Sequence, residues 1–114
     1  MTLEINEEFK ERLITMCKNE LNYYIKESMC ADQYHFEIIT KIKLLCMLKK
    51  TKAATKFFVK YHDFLNQQIK FTNWGYRREY YEEIKKELEE LGYDILIKEK
   101  GDEKWKYITF VHIV

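Results

Sequence analysis

The sequence has no proline and only three glycines among its 114 residues, Gly75, Gly92 and Gly101. Because these residues punctuate a backbone, chain breaks are confined to the C-terminal part and helices can run freely before it. Cysteine is equally sparse. Cys17, Cys30 and Cys46 are odd in number and widely spaced, which fits neither a disulfide framework nor a CxxC metal or redox motif, so they read as reduced packing or surface residues. The longest apolar run, Leu44 to Leu48, falls far short of the roughly 18 residues that a membrane span needs. The opening Met1-Thr2-Leu3-Glu4-Ile5-Asn6-Glu7-Glu8 is acidic and lacks the basic and apolar regions of a signal peptide. A cytoplasmic location is the expectation.

Catalytic signatures are missing as well. There is no Gly-rich phosphate loop, no Walker lysine, no nucleophile elbow and no HExxH. His35, His62 and His112 are far apart, and neither Cys30 with His35 nor Cys46 with His62 has the paired spacing of a zinc site. No catalytic residue, cofactor or metal ligand is therefore assigned, and the chain is read as a non-enzyme.

What is present suffices for a core. Hydrophobic residues at 46 % and aromatics at 16 % offset chain entropy despite the charged content, and the length suits one domain over residues 1–114. Asn6 is placed to cap a first helix, with Glu7 and Glu8 in its first turn and Phe9, Leu13, Met16, Cys17, Leu21, Tyr24 and Ile25 at helical spacing, ending near Ser28. Asp32 can cap a second helix carrying Phe36, Ile39, Ile42, Leu45 and Leu48, with Ile38 and Cys46 widening its stripe. A break near Lys49 to Lys52, favoured over one long helix running through it, precedes a third helix, with Thr51 as cap and Ala54, Phe57, Phe58, Tyr61 and Leu65 inward.

From residue 67 the pattern predicts a βαββ unit. Ile69 and Phe71 alternate with Gln68, Lys70 and Thr72 as in a half-buried strand. A fourth helix with Tyr80, Tyr81, Ile84, Leu88 and Leu91 inward ends at Gly92, and Tyr93 to Lys98 and Trp105 to Ile113 form a hairpin around Lys100 to Glu103. The fold class is thus α+β: N-terminal helices over 1–66, then a three-stranded mixed sheet over 67–114 with the last strand central.

Charge is segregated. Residues 1–40 carry four basic and eight acidic groups, residues 41–62 seven lysines and no acid, and residues 63–114 nine basic and eleven acidic. Lys49, Lys50, Lys52, Lys56 and Lys60 with Tyr61 are candidate contact residues, as are Trp74, Tyr76, Arg77 and Arg78 around the turn before the fourth helix. Lysines interleaved with rings suit a single-stranded nucleic acid; they equally suit an acidic protein or form a solvated helix face. The segment has no arginine, the usual fork for phosphates and base edges, and its rings fall at core spacing. A winged-helix reading of residues 80–113 meets Glu79, Glu82, Glu83, Glu87, Glu89 and Glu90, which would repel DNA. The surplus tyrosines, Tyr23 and Tyr93 included, either close a small core or serve an interface, so a homo-oligomer is open.

The run from Tyr80 through Leu91-Gly92-Tyr93, followed by two strands ending in Trp105-Lys106-Tyr107-Ile108-Thr109-Phe110, resembles the C-terminal unit of small uncharacterised proteins of phages and large DNA viruses. That resemblance implies no catalytic residues. The expectation is a small non-catalytic protein-binding domain, virus or phage encoded, acting in the host cytoplasm as a virion component or an antagonist of a host factor. The alternative is a nucleic-acid binder using the segment from Lys41 to Lys60.

Overall fold

The computed structural model describes the backbone of residues 6–28, 33–72, 78–101 and 106–114, and the side chains of residues 6–28, 33–65, 80, 82–101 and 109–114. The elements follow in the order α1 (Glu7–Glu27), α2 (His35–Met47), α3 (Thr51–Thr72), α4 (Arg78–Glu90), β1 (Ile95–Gly101) and β2 (Lys106–Ile113). The α+β class holds; the three-stranded mixed sheet does not. Among the described residues the sheet has two antiparallel strands.

The missing strand is helix. Gln67 to Thr72 continue α3, because Ile69 lies four residues beyond Leu65 and extends the Phe58, Tyr61, Leu65 stripe, and no proline or glycine intervenes to stop propagation. Six residues are too few for alternation to outweigh a helix already several turns long. Without a strand there, no crossover forms and β2 is not central.

Asn6 caps α1 as expected, its Oδ1 accepting from the Phe9 N–H at 2.7 Å. The helix buries Ile14, Cys17, Leu21 and Ile25, while Phe9 and Met16, expected inside, are largely exposed. Apolar residues of α1 thus occupy two faces, of which the core takes one. Phe36, expected on the inner face of α2, is 76 % exposed at the helix start; Ile38, Ile39, Ile42, Leu45 and Cys46 make that helix the centre of the core. The residue before α2 is Tyr34, with no side-chain cap bond, and Asp32 lies outside the described residues.

Lys49 creates the break between α2 and α3. Its φ is +63°, with its N–H bonded to the Cys46 carbonyl at 2.9 Å and the Lys50 N–H to the Leu45 carbonyl at 2.8 Å. This pair of bonds is a Schellman stop, with a lysine where glycine is usual. The Lys50 carbonyl then accepts from the Ala54 N–H at 3.0 Å, so Lys50, one residue before Thr51, caps α3. A side chain in left-handed backbone is strained, by about 1–2 kcal/mol, and glycine gives back part of that in unfolded-state entropy. Lys49→Gly is expected to raise stability by about 0.5–1 kcal/mol, read as a higher urea midpoint at unchanged slope.

The same stop closes α4. Gly92 at φ +94° allows the Gly92 N–H to reach the Glu89 carbonyl and the Tyr93 N–H the Leu88 carbonyl, at 2.9 and 3.2 Å. Tyr93 then donates its hydroxyl to the Cys46 carbonyl, tying the ends of α2 and α4 together. Ile84 and Leu88 of α4 are buried with Ile95 of β1 and Ile113 of β2, whereas Leu91 is exposed. The strands pair Ile95 with Ile113 through Lys98 with Phe110. There the register shifts so that Glu99 faces Ile108; the extra Thr109 donates its hydroxyl to the Lys98 carbonyl at 3.2 Å. The hairpin turn lies outside the described residues.

Candidate binding face on α3

Helical spacing divides α3 into two faces. Ala54, Phe57, Phe58, Tyr61 and Leu65 are buried, while Lys52, Lys56 and Lys60, four residues apart, lie along its exposed side. Lys49 is exposed and Lys50 half-buried in the turn leading into the helix. Among the described residues none of Lys49, Lys50, Lys52 and Lys56 makes an ion pair. Lys60 donates to Asn22 Oδ1 of α1 at 2.9 Å, with its ammonium 5.7 Å from the Phe57 ring centre, so its stem is held and its charge is not cancelled.

The other two lysines of the basic segment serve the fold. Lys41 pairs with Glu20 of α1 at 2.8 Å and Lys43 with Glu87 of α4 at 2.6 Å, both pairs partly buried. The bond to Glu20 raises the Lys41 pKa although burial opposes it. The seven-lysine run is therefore two sets: two struts from α2 to its neighbours, and five cations around the start and outer side of α3.

Tyr61 belongs to neither. It is 1 % exposed, and its hydroxyl lies 2.7 Å from His35 Nδ1, whose Nε2 is 3.2 Å from Glu83 Oε2. The His35 ring stacks on Tyr80, centres 3.9 Å apart. A neutral imidazole protonated at Nε2 satisfies both contacts, donating to the carboxylate and accepting from the phenol. The chain of carboxylate, imidazole and phenol has the order of a catalytic relay, with its phenol end buried in the core. It links α2, α3 and α4. Sequence reasoning missed it: partners 26 and 48 residues apart leave no local signal. Trp74, Tyr76 and Arg77 lie outside the described residues; Arg78 opens α4, and its side chain is likewise outside them.

No match emerges from comparison with family models, curated proteins or solved structures. The site is thus read from its own chemistry. Among the described residues no three His, Cys, Asp or Glu side chains gather as a metal would require, and no helix is long and apolar enough to cross a membrane. His62 is buried, and burial lowers its pKa against the opposing charges of Asp63 and Glu99, which keeps it neutral at pH 7. Burial also raises the Cys17 thiol, against the charge of Lys41, and pushes Cys46 up to about 11. Since only thiolates react, iodoacetamide at pH 8 is expected to leave Cys17 and Cys46 unmodified in the native protein and to alkylate both after denaturation. Peptide mass mapping checks this, and rapid native labelling of Cys46 would show that α2 opens.

Proposed function

We propose that this protein is a non-catalytic binding domain that takes an acidic protein partner on the lysine face of α3. The observation that carries this is the exposed Lys52, Lys56, Lys60 stripe without neutralising carboxylates among the described residues, beside Lys41 and Lys43, which have them. Like charges four residues apart weaken a helix by about 0.2–0.5 kcal/mol per pair, and cations in a first turn oppose the helix dipole. The arrangement disfavours the isolated domain and becomes favourable when a negative surface covers it.

The nucleic-acid reading loses its stacking platform, because Phe57, Phe58 and Tyr61 are buried. Among the described residues of that segment, phosphate attraction remains. The C-terminal resemblance supports placing such a domain among virus or phage proteins that act in the host cytoplasm, as a virion component or an antagonist of a host factor. The test is an anisotropy titration of a labelled glutamate-rich peptide and a labelled single-stranded oligonucleotide at about 50 mM salt, then at rising salt. Peptide binding that weakens with salt is expected. A peptide that does not bind at low salt, or an oligonucleotide that binds more tightly, overturns the reading.

A further inference from the structure

We infer that the outer face of α1 is a self-association surface, pairing antiparallel with α1 of a second copy of this chain. It lies on a different helix from the α3 lysines and does not depend on them.

Phe9, Met16 and Tyr23 recur every seven residues, and they are 51 %, 42 % and 56 % exposed. At 100° per residue they form one stripe, lying about 145° around the helix from the buried Ile14, Cys17, Leu21 and Ile25. The seam holds one apolar residue per heptad, with Arg12, Asn19 and Lys26 at the positions three residues on, so it is narrower than a coiled-coil face and suits a weak pairing. The seam spans 14 residues, about 21 Å. One end is already ordered: the Tyr23 ring lies 5.8 Å from Tyr24 and 6.3 Å from Tyr34, and these two rings are 4.8 Å apart. An anchor held in place loses little entropy on binding.

The occupant is a second copy because the stripe complements itself. Phe9 and Tyr23 are each seven residues from Met16, so a two-fold axis at Met16 sets Phe9 of one copy on Tyr23 of the other and Met16 on Met16. Charge agrees with that register. Glu8 and Lys26 are exposed and 18 residues apart, five full turns, which puts them on the same flank of the seam. The two-fold brings Glu8 of each copy, which in the single chain pairs with Arg12 of its own helix at 2.7 Å, beside Lys26 of the other.

Sedimentation equilibrium of the full chain from low micromolar to millimolar concentration is expected to show a reversible dimer. Met16→Lys should abolish it with an unchanged thermal melt at low-micromolar concentration, where the wild type is monomeric, since the side chain is outside the core. Glu8→Lys should weaken the dimer by about three- to tenfold, and adding Lys26→Glu should restore it. In a Cys30→Ser background, Met16→Cys is expected to form a disulfide-linked dimer on mild oxidation and Thr40→Cys, exposed on α2, none. A monomer at every concentration, or a dimer that survives Met16→Lys, overturns the inference and in the first case leaves the seam to a different chain.

Discussion

Replacing His35 by alanine is expected to destabilise the protein by about 2–4 kcal/mol, although the imidazole is near the surface and its hydrogen-bond partner Glu83 is half-exposed. Stacking on Tyr80 is worth about 0.5–1.5 kcal/mol beyond area burial, and the bond to the buried Tyr61 hydroxyl about 1 kcal/mol or more, because the phenol loses an acceptor in the core. The Glu83 contact adds little, being open to water. His35→Phe should recover the stacking alone and fall between wild type and alanine in urea unfolding, and Glu83→Gln should be nearly silent. The loss is also expected to be local. Helix α4 is attached to α2 through His35, the Lys43–Glu87 pair and the Tyr93 hydroxyl, so hydrogen exchange should accelerate first in α4. Uniform acceleration through α1 and α3 would mean that His35 supports the whole core instead of docking one helix.

The elements that sequence made legible are those whose signals are local. Asn6 with Glu7 and Glu8, Gly92 after Leu91, and the period of Ala54, Phe57, Phe58, Tyr61 and Leu65 each act within two turns of chain, and each appears where its chemistry puts it. The stretch at 67–72 was misread because Ile69 and Phe71 fit a strand over six residues, while the helix they prolong is set by residues further back. Phe9, Met16 and Phe36 were misplaced for a related reason: periodicity shows that a residue lies on an apolar face, not whether anything covers it. For the site, charge counting located the basic segment but could not divide it. Lys41 and Lys43 are separated from Lys52, Lys56 and Lys60 only by where Glu20 and Glu87 fall in space, a tertiary fact.

That division is the basis of the second large effect. Reversing Lys52, Lys56 and Lys60 together to glutamate is expected to weaken binding of the acidic peptide by about a hundredfold or more. Each position passes from attraction to repulsion, at about 1 kcal/mol per contact, and three such changes exceed two decades in Kd. Stability should hold or rise by a few tenths of a kcal/mol, because an acid at position 52, in the first turn of α3, complements the helix dipole where Lys52 opposes it. The paired experiment inverts both readouts. Lys41→Glu with Lys43→Glu puts like charges against Glu20 and Glu87 at partly buried sites, so stability should fall by about 2 kcal/mol or more, with peptide affinity for the remaining folded protein changed less than tenfold. If both double and triple variants lose binding alike, the peptide senses only net charge, and α3 carries no binding face of its own.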